Sequence, residues 1–486
     1  MTIYLIGLDG ASLNTIQETM SRTRLPNFEK LLQSGFHSDL QSVYPYVTAP
    51  AWTTIFSGVN PGKHGIFEMF EVRGDKIVPS NMRATDVPFL WDYLTWAGKR
   101  TLVVGVPFIY PAPKINGNFV TGRFSPKLSC YPEDLSTRFD FSGFNYDDLS
   151  MEEKTEKIVK EGSDRISERI LADLEKRVVT MLQLADSSAW DVVILVDGLP
   201  DDLLHVSYGD NALVDKMYSM LDRFLGLVMD RMTTDDSLLV FSDHGFCKVE
   251  NVLFINEWLL KKGFVDLHET PISKLMMSLG VGWDSFSADG LTSKVFRFFL
   301  EHFPWAAGKI KNTFRSSMVL DESGKDSSKV RALSINEPLA WLRISDGFSA
   351  EVSVDSLESG LNQLKASGAL KNVFRTDQLY AGSYLSDAPG QILIEGPSGY
   401  SIDAMRWNKR KLIGKPLLTK KGVHKREGIL LTYGKIKTEI HGAPRIEDLV
   451  PTILEVMRLP VPASIDGKAL VRKNAAPLDV RVLNVT

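Results

Sequence analysis

Short, largely apolar runs that end in a carboxylate or an imidazole constrain this chain more than any other feature. Ile3–Leu8 ends at Asp9, Asp191–Val196 leads to Asp197 and Asp201, and Ser237–Phe241 leads to Asp243 and His244. A fourth run, Gly428–Thr432, is preceded by His424. Apolar runs of this length are the pattern of strands buried on both faces. Between them lie segments with helical spacing: Pro26–Leu32, Phe89–Ala97 ahead of a further strand at Leu102–Val106, and Asn211–Arg231. Residues 151–186 are charged but keep Ile166, Ile170, Leu174 and Val178 on one helical face. This strand–helix alternation predicts an α/β fold, a mostly parallel sheet flanked by helices on both faces.

The rhythm fails after about residue 250 and returns near Gly428. The expectation is a core formed by 1–250 with 421–486, interrupted by an inserted cap at 251–420. Within the insertion, Val295–Phe314 mixes aromatic and basic residues at helical spacing. That segment reads as a helix packed on the core or lining the cap, with a membrane-surface helix as the alternative.

Composition narrows the chemistry. The 486 residues carry 56 basic and 60 acidic side chains, so no nucleic-acid-binding or polybasic membrane character is expected. Two cysteines, Cys130 and Cys247, exclude a disulfide scaffold and a thiolate zinc site. Any metal must be held by carboxylates and imidazoles. Met1–Gly7 reads as a strand and not a leader, and no run approaches the ~20 apolar residues of a transmembrane helix. The expected setting is cytoplasmic.

Ligands of open α/β sheets bind at the carboxyl ends of the strands, where the acidic and imidazole residues stand. One Asp after a strand is commonly a helix N-cap; several with matching chemistry point to a site. Asp201 and His205 are four apart, which puts both on one face of a helix. Asp243-His244 sets a hard oxygen beside a borderline nitrogen. Such donor sets suit zinc, with manganese or iron as alternatives. Thr48, in Tyr44-Pro45-Tyr46-Val47-Thr48-Ala49-Pro50-Ala51-Trp52-Thr53-Thr54, stands near a helix start, where phosphate oxygens bind well. From the residues alone Thr48 is a nucleophile or an N-cap, and Thr53 and Thr54 are rival nucleophiles.

Asp9, the segment Thr48–Ile66, Pro200-Asp201-Asp202-Leu203-Leu204-His205, Asp243-His244-Gly245 and His424 occur in this order. The ordered set, with the closing Glu447–Leu454, Pro460-Val461-Pro462 and Asp466-Gly467, resembles the alkaline phosphatase superfamily, in its type I phosphodiesterase/nucleotide pyrophosphatase branch. The resemblance implies an alkaline-phosphatase-like core binding two divalent metal ions. Asp201, His205 and His424 would hold one. Asp9, Asp243, His244 and the Thr48 oxygen would hold the other. Thr48 would attack phosphorus in line and pass through a covalent phospho-threonine. His64 would be a structural residue of the family.

The implied partner is a small-molecule phosphoester. Ala51 and Trp52 bring no charge near Thr48, which favours phosphodiesters or pyrophosphates over dianionic monoesters. Trp52 is read either as a core residue or as a wall for a base or aromatic leaving group. Arg123 is either a surface residue or a cation that reaches the substrate. Phosphomonoesterase, phosphonate hydrolase and phosphoryl transferase activities on the same site stay open, as does a metal-binding protein with an inactive site. A sulfatase is disfavoured, because Thr48-Ala49-Pro50-Ala51-Trp52 has neither a convertible Cys or Ser nor the accompanying Arg.

Overall fold

The computed structural model describes residues 1–73, 76–144, 163–265, 329–333, 337–345, 352–404, 411–416, 420–436 and 443–471. Val295–Phe314 lies outside the described residues. The chain forms two compact units. The first comprises Met1–Phe246, Ala381–Ser386 and His424–Thr486; the second comprises Cys247–Tyr380 and Asp387–Val423.

The first unit is built on an eight-stranded sheet. In chain order its strands are β1 (Ile3–Leu8), β2 (Phe36–Gln41), β3 (Thr101–Val106), β4 (Gly117–Thr121), β5 (Cys130–Tyr131), β6 (Val192–Asp197), β7 (Ser237–Phe241) and β8 (Glu427–Gly434). Their order across the sheet is β2-β8-β7-β1-β6-β3-β4-β5. The five strands from β7 to β4 are mutually parallel. β8 runs antiparallel to β7 and β2, and β5 antiparallel to β4. The sheet is therefore mostly parallel, with antiparallel margins. β8 shows why pattern alone does not give direction: Gly428–Thr432 is apolar either way, and the connection decides.

Both faces of the sheet are covered, which explains the unbroken apolar runs. Ile6, Leu8, Val193, Leu195, Leu238 and Val240 pack on one side with Phe28, Tyr218 and Leu221. Ile3, Leu5, Ile194, Val196, Leu239 and Phe241 pack on the other with Trp52, Phe56, Trp91 and Ile453. The alternation is the period of two of a strand. Helices form at Pro26–Ser34, Leu90–Trp96 and Asn211–Met229, close to their expected spans. The charged segment gives a helix over its described part, Ser163–Asp186. The closing helix begins as a 3₁₀ turn, Ile446–Asp448, before Leu449–Val456.

The second unit has its own core. Val330–Leu333, Leu339–Ile344, Ile392–Glu395 and Asn372–Arg375 form an antiparallel sheet in that order. Leu342, Ile394, Leu357, Leu361 and Trp258 pack together beside it. Antiparallel pairing of short strands, with one long helix at Val354–Ala366 between two of them, replaces the parallel strand–helix rhythm here.

Candidate active site

Three of the parallel strands end side by side, and each delivers an acidic residue. β1 delivers Asp9. Gly10 follows at φ +74°, where a Cβ would lie 2.7 Å from the Phe246 ring, so the sharp turn needs a glycine. The Asp9 backbone carbonyl accepts from the Asp201 N–H at 3.0 Å, which ties the end of β1 to the next element. That element is the helix Leu199–Ser207, carrying Asp201 in its first turn and His205 one turn later. Asp197, the last residue of β6, has a different part. It receives a two-point ion pair from Arg177 at 2.7 and 3.0 Å and accepts from the Leu199 N–H at 2.9 Å. It anchors the start of the helix.

The structure brings six of the expected residues into two groups of three. Asp201, His205 and His424 form one, and Asp9, Asp243 and His244 the other; within each, ligand atoms lie within 4.8 Å of one another and all three residues are buried. His424 Nε2 is 3.1 Å from Asp201 Oδ1, across 223 positions of sequence, and 3.1 Å from His205 Nε2. His244 Nε2 is 3.2 Å from Asp243 Oδ2 and 3.6 Å from Asp9 Oδ1. The two groups meet where the rings of His244 and His424 stack, centroids 3.7 Å apart.

Backbone carbonyls orient both of these rings. His424 Nδ1 donates to Tyr46 O at 3.2 Å, and His244 Nδ1 donates to Gly245 O at 3.3 Å. In each neutral ring the proton is thereby placed on Nδ1, and the Nε2 lone pair faces carboxylate oxygens. Acceptors facing acceptors at about 3 Å is an arrangement that a cation resolves. The buried oxygens Asp9 Oδ1 and Asp243 Oδ2 have no hydrogen-bond donor among the described residues. Both features fit a bound divalent metal in each group, and the all-oxygen-and-nitrogen donor set suits zinc or manganese.

The electrostatics agree. Burial, with Asp243 and Asp201 close by, holds the Asp9 carboxyl well above the usual range. Burial, then Asp201, pushes Asp243 up to about 7. Burial also works against the Asp201 carboxylate, but His205 and His424 outweigh it and hold that group well below its usual range. Three carboxylates in a dry setting repel one another, and positive charge between them removes the conflict.

Thr48 is the first residue of the helix Thr48–Ser57; Val47 is the N-cap and makes no side-chain capping bond. Thr48 is thus not the cap. Its rivals have other partners: Thr53 Oγ1 donates to Ala49 O at 2.7 Å, and Thr54 Oγ1 accepts from His64 Nε2 at 3.0 Å. That direction follows because His64 Nδ1 accepts from the Ile66 N–H at 3.0 Å. The Thr48 hydroxyl has no hydrogen-bond partner among the described residues. Tyr46, two residues earlier, holds His424, so the loop into this helix is fixed to the Asp201 group.

Two expectations change. Trp52 is fully buried at 0% exposure, so it offers no wall to a base or a leaving group. It packs against Phe56 and Phe241, and its indole N–H donates to Asp9 Oδ2 at 3.0 Å. Arg123 does reach the site, but its charge is balanced there. It donates to Asp202 Oδ1 at 2.7 Å and Gly198 O at 3.2 Å, and lies 3.9 Å from Asp201. The Trp52–Asp9 bond and the Arg177–Asp197 and Arg123–Asp202 pairs were not legible in the sequence. Asp202, beside Asp201, was the one local signal.

A family model described as type I phosphodiesterase / nucleotide pyrophosphatase matches residues 3–428. The chain belongs to this family. Solved structures share the fold across nearly the whole length. Human ectonucleotide pyrophosphatase / phosphodiesterase 5 is 14% identical with a TM-score of 0.51, and the match covers 96% of this chain and 97% of that one. Phosphonoacetate hydrolase from Sinorhizobium meliloti 1021 is 13% identical with a TM-score of 0.56, covering 93% and 94%. No curated protein matches in sequence. The type I phosphodiesterase architecture is thus that of the alkaline phosphatase superfamily. Among the described residues no helix is long and apolar enough to cross a membrane.

Proposed function

We propose that the protein is a two-metal phosphoester hydrolase that works through a covalent phospho-threonine at Thr48, with phosphodiesters or pyrophosphates as preferred substrates. The observation that carries this reading is the pairing of Asp201/His205/His424 with Asp9/Asp243/His244 across the His244–His424 stack. Two divalent ions, zinc or manganese, would there lower the pKa of a nearby hydroxyl and stabilise charge on the attacking and leaving oxygens.

The chain's own residues do the rest. Asp9, Asp201, Asp243, His205, His244 and His424 provide the donor atoms, and the carbonyls of Tyr46 and Gly245 keep two of the imidazoles turned inward. Thr48 presents its hydroxyl from the first turn of its helix. Its oxygen forms the new bond to phosphorus as the bond to the leaving oxygen breaks on the opposite side, and water later cleaves the phospho-threonine. Val47 leaves the first-turn N–H groups without a side-chain cap, which suits a phosphoryl group held at the helix N-terminus. Substrate choice is assigned to the inserted segment, 251–420.

Related structures support the chemistry. An inactive threonine-to-alanine variant of murine ectonucleotide pyrophosphatase / phosphodiesterase 5 is seen in complex with AMP. Diesters are favoured over monoesters here because Arg123 is paired with Asp202 and adds no unbalanced positive charge. The test is a substrate panel on purified protein, before and after chelation and after zinc or manganese add-back. It would hold bis(p-nitrophenyl) phosphate, p-nitrophenyl phosphate, nucleoside triphosphates, dinucleotides and phosphonoacetate. Turnover should vanish on chelation, return with two metal equivalents, and be fastest on a diester or pyrophosphate. Full activity after exhaustive chelation sinks the two-metal reading, and phosphonoacetate as best substrate would replace the substrate class.

A further inference from the structure

The helix that carries Thr48 also carries Trp52 one turn later, and helix residues four apart share a face. From that position the Trp52 indole crosses to the end of β1. Gly7, two residues before Asp9, makes room for it: a Cβ there would lie 2.5 Å from Trp52 Cη2. Phe56 stacks on the indole with centroids 5.8 Å apart, and Phe241 at the end of β7 closes another side at 6.0 Å. The ring has no room to turn. Its N–H is thereby aimed at Asp9 Oδ2, 3.0 Å away, in a fully buried setting.

We infer that Trp52 is a positioning residue for the Asp9 group, fixing which carboxylate oxygen of Asp9 faces a metal and locking the Thr48 helix to that ligand. The inference rests on the two-metal reading. The two oxygens of Asp9 are not equivalent. Oδ2 is occupied by the indole, whereas Oδ1 has no donor among the described residues and lies 3.6 Å from His244 Nε2. The hydrogen bond therefore leaves Oδ1 as the oxygen available to the group it shares with His244 and Asp243. It parallels the carbonyls of Tyr46 and Gly245, which orient His424 and His244. Without the N–H, the Asp9 carboxylate would be free to rotate, and a buried acceptor would lose its partner. Outer partners of this kind commonly change metal affinity about 10–100-fold.

An indole N–H in a core needs some acceptor, so simple satisfaction of Trp52 is the competing account. The two separate when the N–H is removed at constant shape. Trp52 is replaced by its benzothienyl isostere, in which sulfur stands for N–H, and, as a second variant, by Trp52→Phe. Zinc affinities of both groups are read by competition titration against a chelator. Asp243→Asn and His205→Ala controls assign each equivalent, and the Co²⁺ absorption spectrum gives a second readout. The expected result is about 10–100-fold weaker binding at the Asp9 group, an altered Co²⁺ spectrum there, and affinity at the Asp201 group within about 3-fold of the parent. Unchanged affinity and spectrum in the isostere overturn the inference while leaving the two-metal reading intact. An equal loss at both groups also overturns it, because it would mark a general loss of structure. A parent protein that takes up no metal at the Asp9 group overturns both readings together.

Discussion

Three threonines on one helix face different chemical fates. Thr53 donates to a carbonyl of its own helix and Thr54 pairs with buried His64, so each hydroxyl serves the fold. Thr48→Ala should therefore lower kcat/KM by about 10³-fold or more, as loss of a nucleophile does. Thr48→Ser should keep measurable turnover, and Thr53→Ala should stay within about 10-fold. Steady-state kinetics on the best diester decide this, and a Thr48→Ala enzyme as fast as the parent would reassign the nucleophile. Arg123 carries the second prediction at this scale. Its charge is matched by Asp202, so Arg123→Ala should not abolish a preference for bis(p-nitrophenyl) phosphate over p-nitrophenyl phosphate. A strong monoester preference in the parent that disappears in Arg123→Ala would mean that Arg123 serves the phosphoryl oxygens after all. The three threonines were candidates in the sequence, but the partners of Thr53 and Thr54 were not legible there. Nor was the pairing of Arg123, because Asp202 is 79 positions away and only folding brings them to 2.7 Å.

At the scale of elements, the contact between β1 and the Thr48–Ser57 helix sets the site's geometry. It depends on Gly7, the one position in β1 without a side chain, where the Trp52 ring would meet a Cβ at 2.5 Å. Trp52 is held on its other sides by Phe56 and Phe241 and cannot give way. Gly7→Ala should lower unfolding stability by about 1–3 kcal/mol, the usual cost of overpacking, and shift tryptophan fluorescence. Urea denaturation with fluorescence detection reads both, and a variant as stable as the parent with an unchanged spectrum would contradict this packing. The sequence places Gly7 in the first strand, and only the structure shows that a ring packs against it.

For the whole molecule, His64 contributes one part of the sensitivity to acid. Burial drives its pKa down to about 3 in the folded chain, against roughly 6.5 for an unperturbed histidine. Above pH 6.5 the ring is neutral in both states and its stabilising part is fully present. As pH falls from about 6.5 toward 3, the unfolded chain takes up a proton that the folded chain refuses, and stability is lost by up to about 1.4 kcal/mol per pH unit. Equilibrium unfolding at pH 7 and pH 5 should show this loss in the parent and a smaller one in His64→Gln. Equal pH slopes in the two proteins would mean that His64 is protonated in the native state.

Sequence by itself determined the strand–helix order of the first unit and the residues at the strand ends, because burial on both faces forces apolar runs and a strand end leaves polar residues at a fixed place. It also marked where the rhythm stops, near residue 250. Tertiary structure alone decided that β8 runs against its neighbour, since an apolar run reads the same in both directions. The spacing of Asp201 and His205 was legible, but tertiary structure alone gave Asp197 its part as an anchor, because Arg177 lies 20 positions away and only folding brings it to 2.7 Å. Trp52 shows the same limit. Its burial follows from hydrophobicity, but its hydrogen bond to Asp9 spans 43 positions and exists only because the sheet and the helix pack with Gly7 between them.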